Sequence, residues 1–331
     1  MTHARILQHR SASGERRLVL AEDATAHFLS GPGSVRELAQ DAIAQGSTLL
    51  ALARARLAAA PVDIAAEHAA GAFLPAIDHP DSARILLTGT GLTHLGSAEG
   101  RDKMHRAIAD ADSQTDSMKM FLEGLEGGKP AEGEEGQQPE WFFKGDGQSI
   151  VGPRDPLPSP HFARDGGEEP ELAGIYLIGP DGTPFRLGIA LANEFSDHVT
   201  ERHNYLWLAH SKLRPAAIGA ELLIGAIPRD IRGRSRILRD GQCIWEKQFL
   251  TGEENMSHSI ANLEAHHFKY TGFRRPGDIH VHFFGTATLS FSDGVETKDG
   301  DIFEISAPPF TLALSNPLRV TEIPPCKVQA L

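Results

Sequence analysis

Glu169, Glu171 and Glu194 are the residues whose type and spacing point first to chemistry. Pro180-Asp181-Gly182 separates two apolar runs, and Asp-Gly in that setting is a strong hairpin signal. With Asp181 and Gly182 as a two-residue turn, Glu169 falls opposite Glu194. Glu171 lies two residues on from Glu169 and shares its face. Directly opposed positions are about 5 Å apart, so the three carboxylates converge. Such a group repels itself unless something positive sits among it. A hard divalent cation with oxygen ligands, Mg²⁺, Mn²⁺ or Ca²⁺, is the natural neutraliser. A charged, solvated hairpin face is the competing reading, and Pro170, Pro184 or a bulge would shift the register. Asp197 has the opposite parity and points away.

The elements that must position these residues follow from the texture of the chain. Residues 1–80 read as a small N-terminal α/β region. Within it, residues 35–60 are rich in Ala, Leu and Arg and fit one or two helices around Gly46-Ser47, stopped by Pro61. Residues 82–94 begin as a buried strand and end in glycines. Residues 100–125 read as a polar helix, and residues 126–138 as an exposed Gly/Glu/Gln loop. From Pro139 onward, short apolar runs alternate with Gly, Pro and Asp turns, the pattern of an antiparallel or mixed β domain. One helical interruption falls at about residues 199–213. A boundary near residue 80 leaves 81–331 as the second domain.

Composition narrows the function classes. The chain has 331 residues and a formal net charge of −12. That acidity argues against a nucleic-acid partner, because neutralising phosphates needs a basic face. Two cysteines, Cys243 and Cys326, make neither a disulfide framework nor a Cys-based zinc cage. No apolar run approaches the roughly 20 residues of a membrane span, so no membrane partner is expected. No apolar stretch follows Met1 to Arg5 as in a secretory signal, and the expected location is the cytoplasm. His280 and His282 share a strand face, but no third nitrogen or sulfur ligand has zinc-site spacing. Gly89, Gly91, Gly96 and Gly100 lack the spacing of nucleotide-binding loops.

Three segments together carry a family resemblance: Glu140-Trp-Phe-Phe-Lys144, Glu169-Pro-Glu-Leu-Ala173 and Asn193-Glu-Phe-Ser196. The chain resembles the fumarylacetoacetate hydrolase family, and within it the 2-keto-3-deoxy sugar-acid dehydratase branch. The similarity continues through Glu201, Asn204 to Leu208 and Lys212, and resumes at Gly277-Asp278, Phe284-Gly285-Thr286, Gly300-Asp301 and Glu304. It spans about residues 80–320. It implies an α+β fold with a mixed β-roll catalytic domain. It implies Glu169, Glu171 and Glu194 as ligands of Mg²⁺, although the family usually has Asp at the third position. Asp197 is the reserve ligand.

Carried over residue by residue, the resemblance makes Lys212 and Glu140 the acid and base, in either order. Lys144 lines the site. Gly285 and Thr286 form a turn that can hold a substrate carboxylate. Thr93 and His94 follow a strand on a loop able to cover the site, where His94 is otherwise an exposed loop histidine. Family hydrolases activate water with a His/Glu pair, which His94 and Glu99 match poorly. Arg101 can bind a substrate carboxylate. The implied activity is Mg²⁺-dependent dehydration of a 2-keto-3-deoxy sugar acid, such as 2-keto-3-deoxyarabinonate to 2,5-dioxopentanoate, by a homodimer. The alternatives are a C–C hydrolase of a 2,4-diketo acid and an inactive, carboxylate-rich binding protein.

Overall fold

The computed structural model describes residues 3–95 and 115–331. Its first strands are β1 (Ala4–Arg10), β2 (Arg16–Glu22), β3 (Thr25–Leu29) and β4 (Leu57–Pro61). Helices α1 (Val35–Ala44), α2 (Leu49–Ala55) and α3 (Ile64–Ala69) are capped by Ser34, Thr48 and Asp63, whose side chains accept backbone N–H groups of the first turn. The Ala-rich run splits at Gly46-Ser47, but its end is the strand β4 rather than helix. There Leu57 pairs with Leu29, and sheet pairing overrides helix propensity.

Next come β5 (Ile85–Gly89), α4 (Asp116–Gly127), β6 (Phe142–Asp146), β7 (Ile150–Val151) and β8 (Leu157–Pro160). The part of the expected polar helix before residue 115 lies outside the described residues. The hairpin β9 (Pro170–Ile178) and β10 (Pro184–Asn193) is followed by α5 (His198–His203) and α6 (Leu208–Lys212). The chain continues through β11 (Ala216–Ile218), β12 (Glu221–Ile224), β13 (Ile231–Arg239), β14 (Gln242–Thr251) and α7 (Ile260–Phe268). It closes with β15 (Ile279–Phe283), β16 (Ile302–Ser306) and β17 (Leu314–Thr321).

The strands form two sheets. The larger is mixed, in the order β4-β3-β2-β1-β12-β10-β9-β15-β5-β6, with β11 and β7 branching from β10. The smaller is β14-β13-β16-β17-β8. β1 pairs with β12, so one sheet runs across position 80. The architecture is α+β.

The hairpin β9–β10 is buried on both faces. Ala173, Ile175, Ala190 and Ala192 join the core beneath α1 and α2. Leu172, Ile189 and Leu191 join Ile237, Phe249 and Phe303 of the smaller sheet. Two-sided burial explains why this hairpin reads as continuous apolar runs. Among the described residues, no helix is long and apolar enough to cross a membrane.

The turn differs from the two-residue form. Gly179 donates its N–H to Thr183 and accepts one from Gly182, so Pro180, Asp181 and Gly182 form a three-residue loop. Gly182 sits at a φ of 85°, the left-handed conformation that closes such loops. This shifts the register by one residue, and a bulge between Arg186 and Gly188 shifts it back. Ala192 therefore faces Glu171, and the Glu194 N–H donates to the Glu169 carbonyl at 3.0 Å. A Gly182→Ala substitution puts a Cβ on left-handed backbone. Urea unfolding is expected to show a loss of about 1 kcal/mol; unchanged stability would contradict the turn as described.

Candidate active site

The apolar face of the hairpin ends in charge. Ala173 and Glu171 lie on one side of β9, and Glu169 continues that parity; Ala190, Ala192 and Glu194 do the same along β10. All three glutamates are buried, and one carboxylate oxygen from each lies within 4.8 Å of the others.

Two lysines face them. Lys212, at the end of α6, donates to Glu169 Oε1 and Glu194 Oε2, both at 2.5 Å. Its Nζ also lies 4.8 Å from the centre of the Phe142 ring. Lys144 reaches Glu194 Oε1 at 2.5 Å from β6 and donates to the carbonyls of Phe195 and Lys212. On that strand Phe142 and Lys144 alternate onto one face, and β6 is held to β5. The cluster thus gathers side chains from four separated parts of the sequence.

Burial and neighbouring charge distribute the protons unevenly. Burial pushes Glu171 well above the ordinary carboxylate range, and the charges of Glu194 and Glu169 push it the same way. Among the described residues, its hydrogen bond comes from the N–H of Gly285, at 2.7 Å. Burial also raises Glu194, against the pull of Lys144 and Lys212, and lowers Lys144 against the pull of Glu194. Glu169 behaves oppositely. Burial pushes it up, yet Lys212 and His198 hold it well below the usual range. His198 donates one ring nitrogen toward Glu169 Oε1 at 3.1 Å and the other toward Asp165 Oδ2 at 3.3 Å. Burial lowers His198, but those two carboxylates raise it to about 10, so it stays cationic.

The donor set suits a hard divalent ion. It is all carboxylate oxygen, and Glu171 takes its hydrogen bond from a backbone N–H. Glu169, Glu171 and Glu194 are the residues that would hold it.

The other expected residues are placed as follows. Glu140 is buried and accepts a hydrogen bond from the Tyr205 hydroxyl. The Gly285 N–H goes to Glu171, while Thr286 accepts the N–H of Thr288. Thr93 donates to the carbonyl of Phe284, next to Gly285. Arg101 and Glu99 lie outside the described residues. His94 is not an exposed loop histidine: it is 1% exposed and hydrogen-bonded to Thr251, and burial lowers it to about 3. Packing of its loop against Met256 draws it inward. Asp197 takes the backbone N–H of Thr200 and pairs with Arg214, so it does not join the cluster.

Two contributors were not singled out from the sequence. His198 follows Glu194 by four residues, and the turn into α5 swings it back onto Glu169. Glu168 receives both the N–H and the hydroxyl of Ser290, which ties the segment just before β9 to the loop after Gly285. Adjacency to the ligand motif was the available signal for both.

No protein-family model and no curated protein sequence matches the chain. Solved structures do. A 2-keto-3-deoxy-D-arabinonate dehydratase in its apo form superposes with a TM-score of 0.67 at 18% identity, covering 97% of this chain and 99% of that one. The same enzyme complexed with magnesium and 2,5-dioxopentanoate gives 0.67 at 17% identity, over 98% and 100%. A 2-hydroxyhepta-2,4-diene-1,7-dioate isomerase from Mycobacterium marinum gives 0.53 at 16% identity, over 96% and 98%. The fold is that of the fumarylacetoacetate hydrolase family. Within that fold, its form is the one that 2-keto-3-deoxyarabinonate dehydratase takes.

The electrostatics carry a pH signature. A proton held by Glu171 must leave before its carboxylate can bind a cation. Because that proton is held more tightly than in a free carboxyl group, raising the pH removes a competitor. Calorimetric titration with Mg²⁺ should therefore show tighter binding at about pH 8 than at about pH 6, with proton release at the lower pH. Equal affinity at the two pH values would contradict the upward shift of Glu171.

Proposed function

We propose that the protein is a metal-dependent hydro-lyase that eliminates water from a 2-keto-3-deoxy acid carrying a hydroxyl at C4. The observation that carries this reading is the buried set of three carboxylates with Lys212 bridging two of them. A divalent cation held by Glu169, Glu171 and Glu194 would supply Lewis-acid stabilisation of the negative charge that builds on the 2-keto oxygen. Mg²⁺ is the ion of the similar dehydratase structure.

The chain's own groups then divide the proton work. The C3–H bond breaks toward a base, the C3–C4 double bond forms, and the C4 hydroxyl leaves as water with a proton from an acid. Lys212 and Glu140 take these two roles, in either order. Lys212 is fixed by its two carboxylate partners and Glu140 by the Tyr205 hydroxyl, so both present a defined position to the substrate. Lys144 neutralises part of the cluster and holds Glu194 in place. The positive charges of Lys144 and Lys212 also favour an anionic substrate in a buried site.

The test is turnover of a panel of 2-keto-3-deoxy pentonates and hexonates with Mg²⁺, read as the 2-oxo-3-enoate or as the 2,5-dicarbonyl compound formed when its double bond shifts toward the C5 hydroxyl and the resulting enol tautomerises. Glu171→Gln is expected to lose both metal binding and turnover. Lys212→Met and Glu140→Gln are each expected to lower kcat about 100-fold or more. Hydrolysis of acylpyruvates without any dehydration would overturn the hydro-lyase reading in favour of a C–C hydrolase. Full activity in Glu171→Gln would overturn the metal site.

A further inference from the structure

Three separate parts of the chain connect a cavity of about 570 Å³ to the carboxylate cluster. Leu208 lines the cavity and lies one helical turn before Lys212 on α6. Glu140 lines it and lies two residues before Phe142, whose ring sits under Lys212. Thr90 lines it and bonds through its N–H to Phe283, two residues before the Gly285 that reaches Glu171.

The walls are apolar: Met120, Trp141, Leu208, Leu263, Tyr270 and Phe273. Trp141 and Phe273 are stacked, with ring centres 5.7 Å apart. Glu140 and Tyr205 add polar atoms to the lining, while those of Trp141, His267, His266 and Thr90 are engaged by the protein. Trp141 Nε1 donates to His267 Nδ1, which leaves His267 Nε2 to donate to His280 Nδ1. His266 bonds the Gly136 carbonyl and Lys269, and Lys269 also reaches Gln138. Thr90 donates its hydroxyl to the Phe283 carbonyl. A chain of hydroxylated carbons entering this space would give up water for walls with few free partners, an unfavourable exchange. An aryl or alkyl group would gain from the same exchange.

We propose that the substrate of this site is a 2-keto acid with an apolar distal end, an aryl or branched alkyl group, seated between Trp141, Tyr270 and Phe273. This rests on the reading of the carboxylate cluster as a site for 2-keto acids, and narrows the acid beyond C4. Loss of the C3 proton and the C4 hydroxyl from such a substrate gives water and a 2-oxo-3-enoate conjugated with the apolar group.

Binding rather than turnover tests it. The probes are 4-phenyl-2-oxobutanoate and 2-oxobutanoate, which share the keto-acid head and lack a leaving group. Calorimetry with Mg²⁺ present should give the phenyl compound a Kd lower by about tenfold or more. Trp141→Ala and Tyr270→Ala should each reduce that preference. Trp141 and Tyr270 are 38% and 51% exposed, so neither change is expected to unfold the protein. Equal affinity for the two acids would overturn the apolar subsite and leave the 2-keto acid reading standing. A preference unchanged in both variants would also overturn the subsite. Binding of neither acid would overturn the 2-keto acid reading itself, and the subsite with it.

Discussion

Three carboxylates buried within 4.8 Å of one another form the constraint on which the rest of the structure depends. Removing a single carboxylate from water costs several kcal/mol unless charge or hydrogen bonds replace the water. The chain replaces it from several directions. Lys212 comes from the end of a short helix, Lys144 from an adjoining strand, His198 from the next helix and the Gly285 N–H from the end of β15. Among the described residues, Glu171 takes its hydrogen bond from that backbone N–H, and a divalent ion held there would balance its charge.

The hairpin that carries the carboxylates shows how tightly that constraint binds the backbone. Slipping one strand by a single residue would turn Glu194 toward the opposite core. The three-residue turn makes that slip, and the bulge after Arg186 undoes it. The two irregularities together deliver the pairing that a simple turn would have given. Burial of both hairpin faces then locks it, since either slipped register would drive a carboxylate into Ile237, Phe249 and Phe303 or pull apolar residues from their cores.

This compensation also explains what could be read from the sequence. The convergence of Glu169, Glu171 and Glu194 was legible because strand parity is local and the two irregularities cancel, although neither the three-residue turn nor the bulge was read from the sequence. Lys212 and Lys144 were legible only through motif resemblance. Their contacts with Glu194 cross 18 and 50 residues of chain, and no periodicity reports them. His94 shows the reverse failure. A Gly-flanked histidine after a strand reads as exposed, but pairing of its loop with Met256 buries it. The strand β4 was hidden in an Ala-rich run because its partner, β3, lies almost 30 residues earlier. The strand-rich texture after Pro139 was visible throughout, because turns mark it locally.

Diffraction from crystals soaked in Mn²⁺, with data at the manganese absorption edge, tests the three-carboxylate metal centre most directly. The expected result is one strong anomalous peak with oxygen atoms of Glu169, Glu171 and Glu194 all at about 2.0–2.3 Å. No peak among those carboxylates, or one bound by Asp197 in place of Glu194, would contradict it.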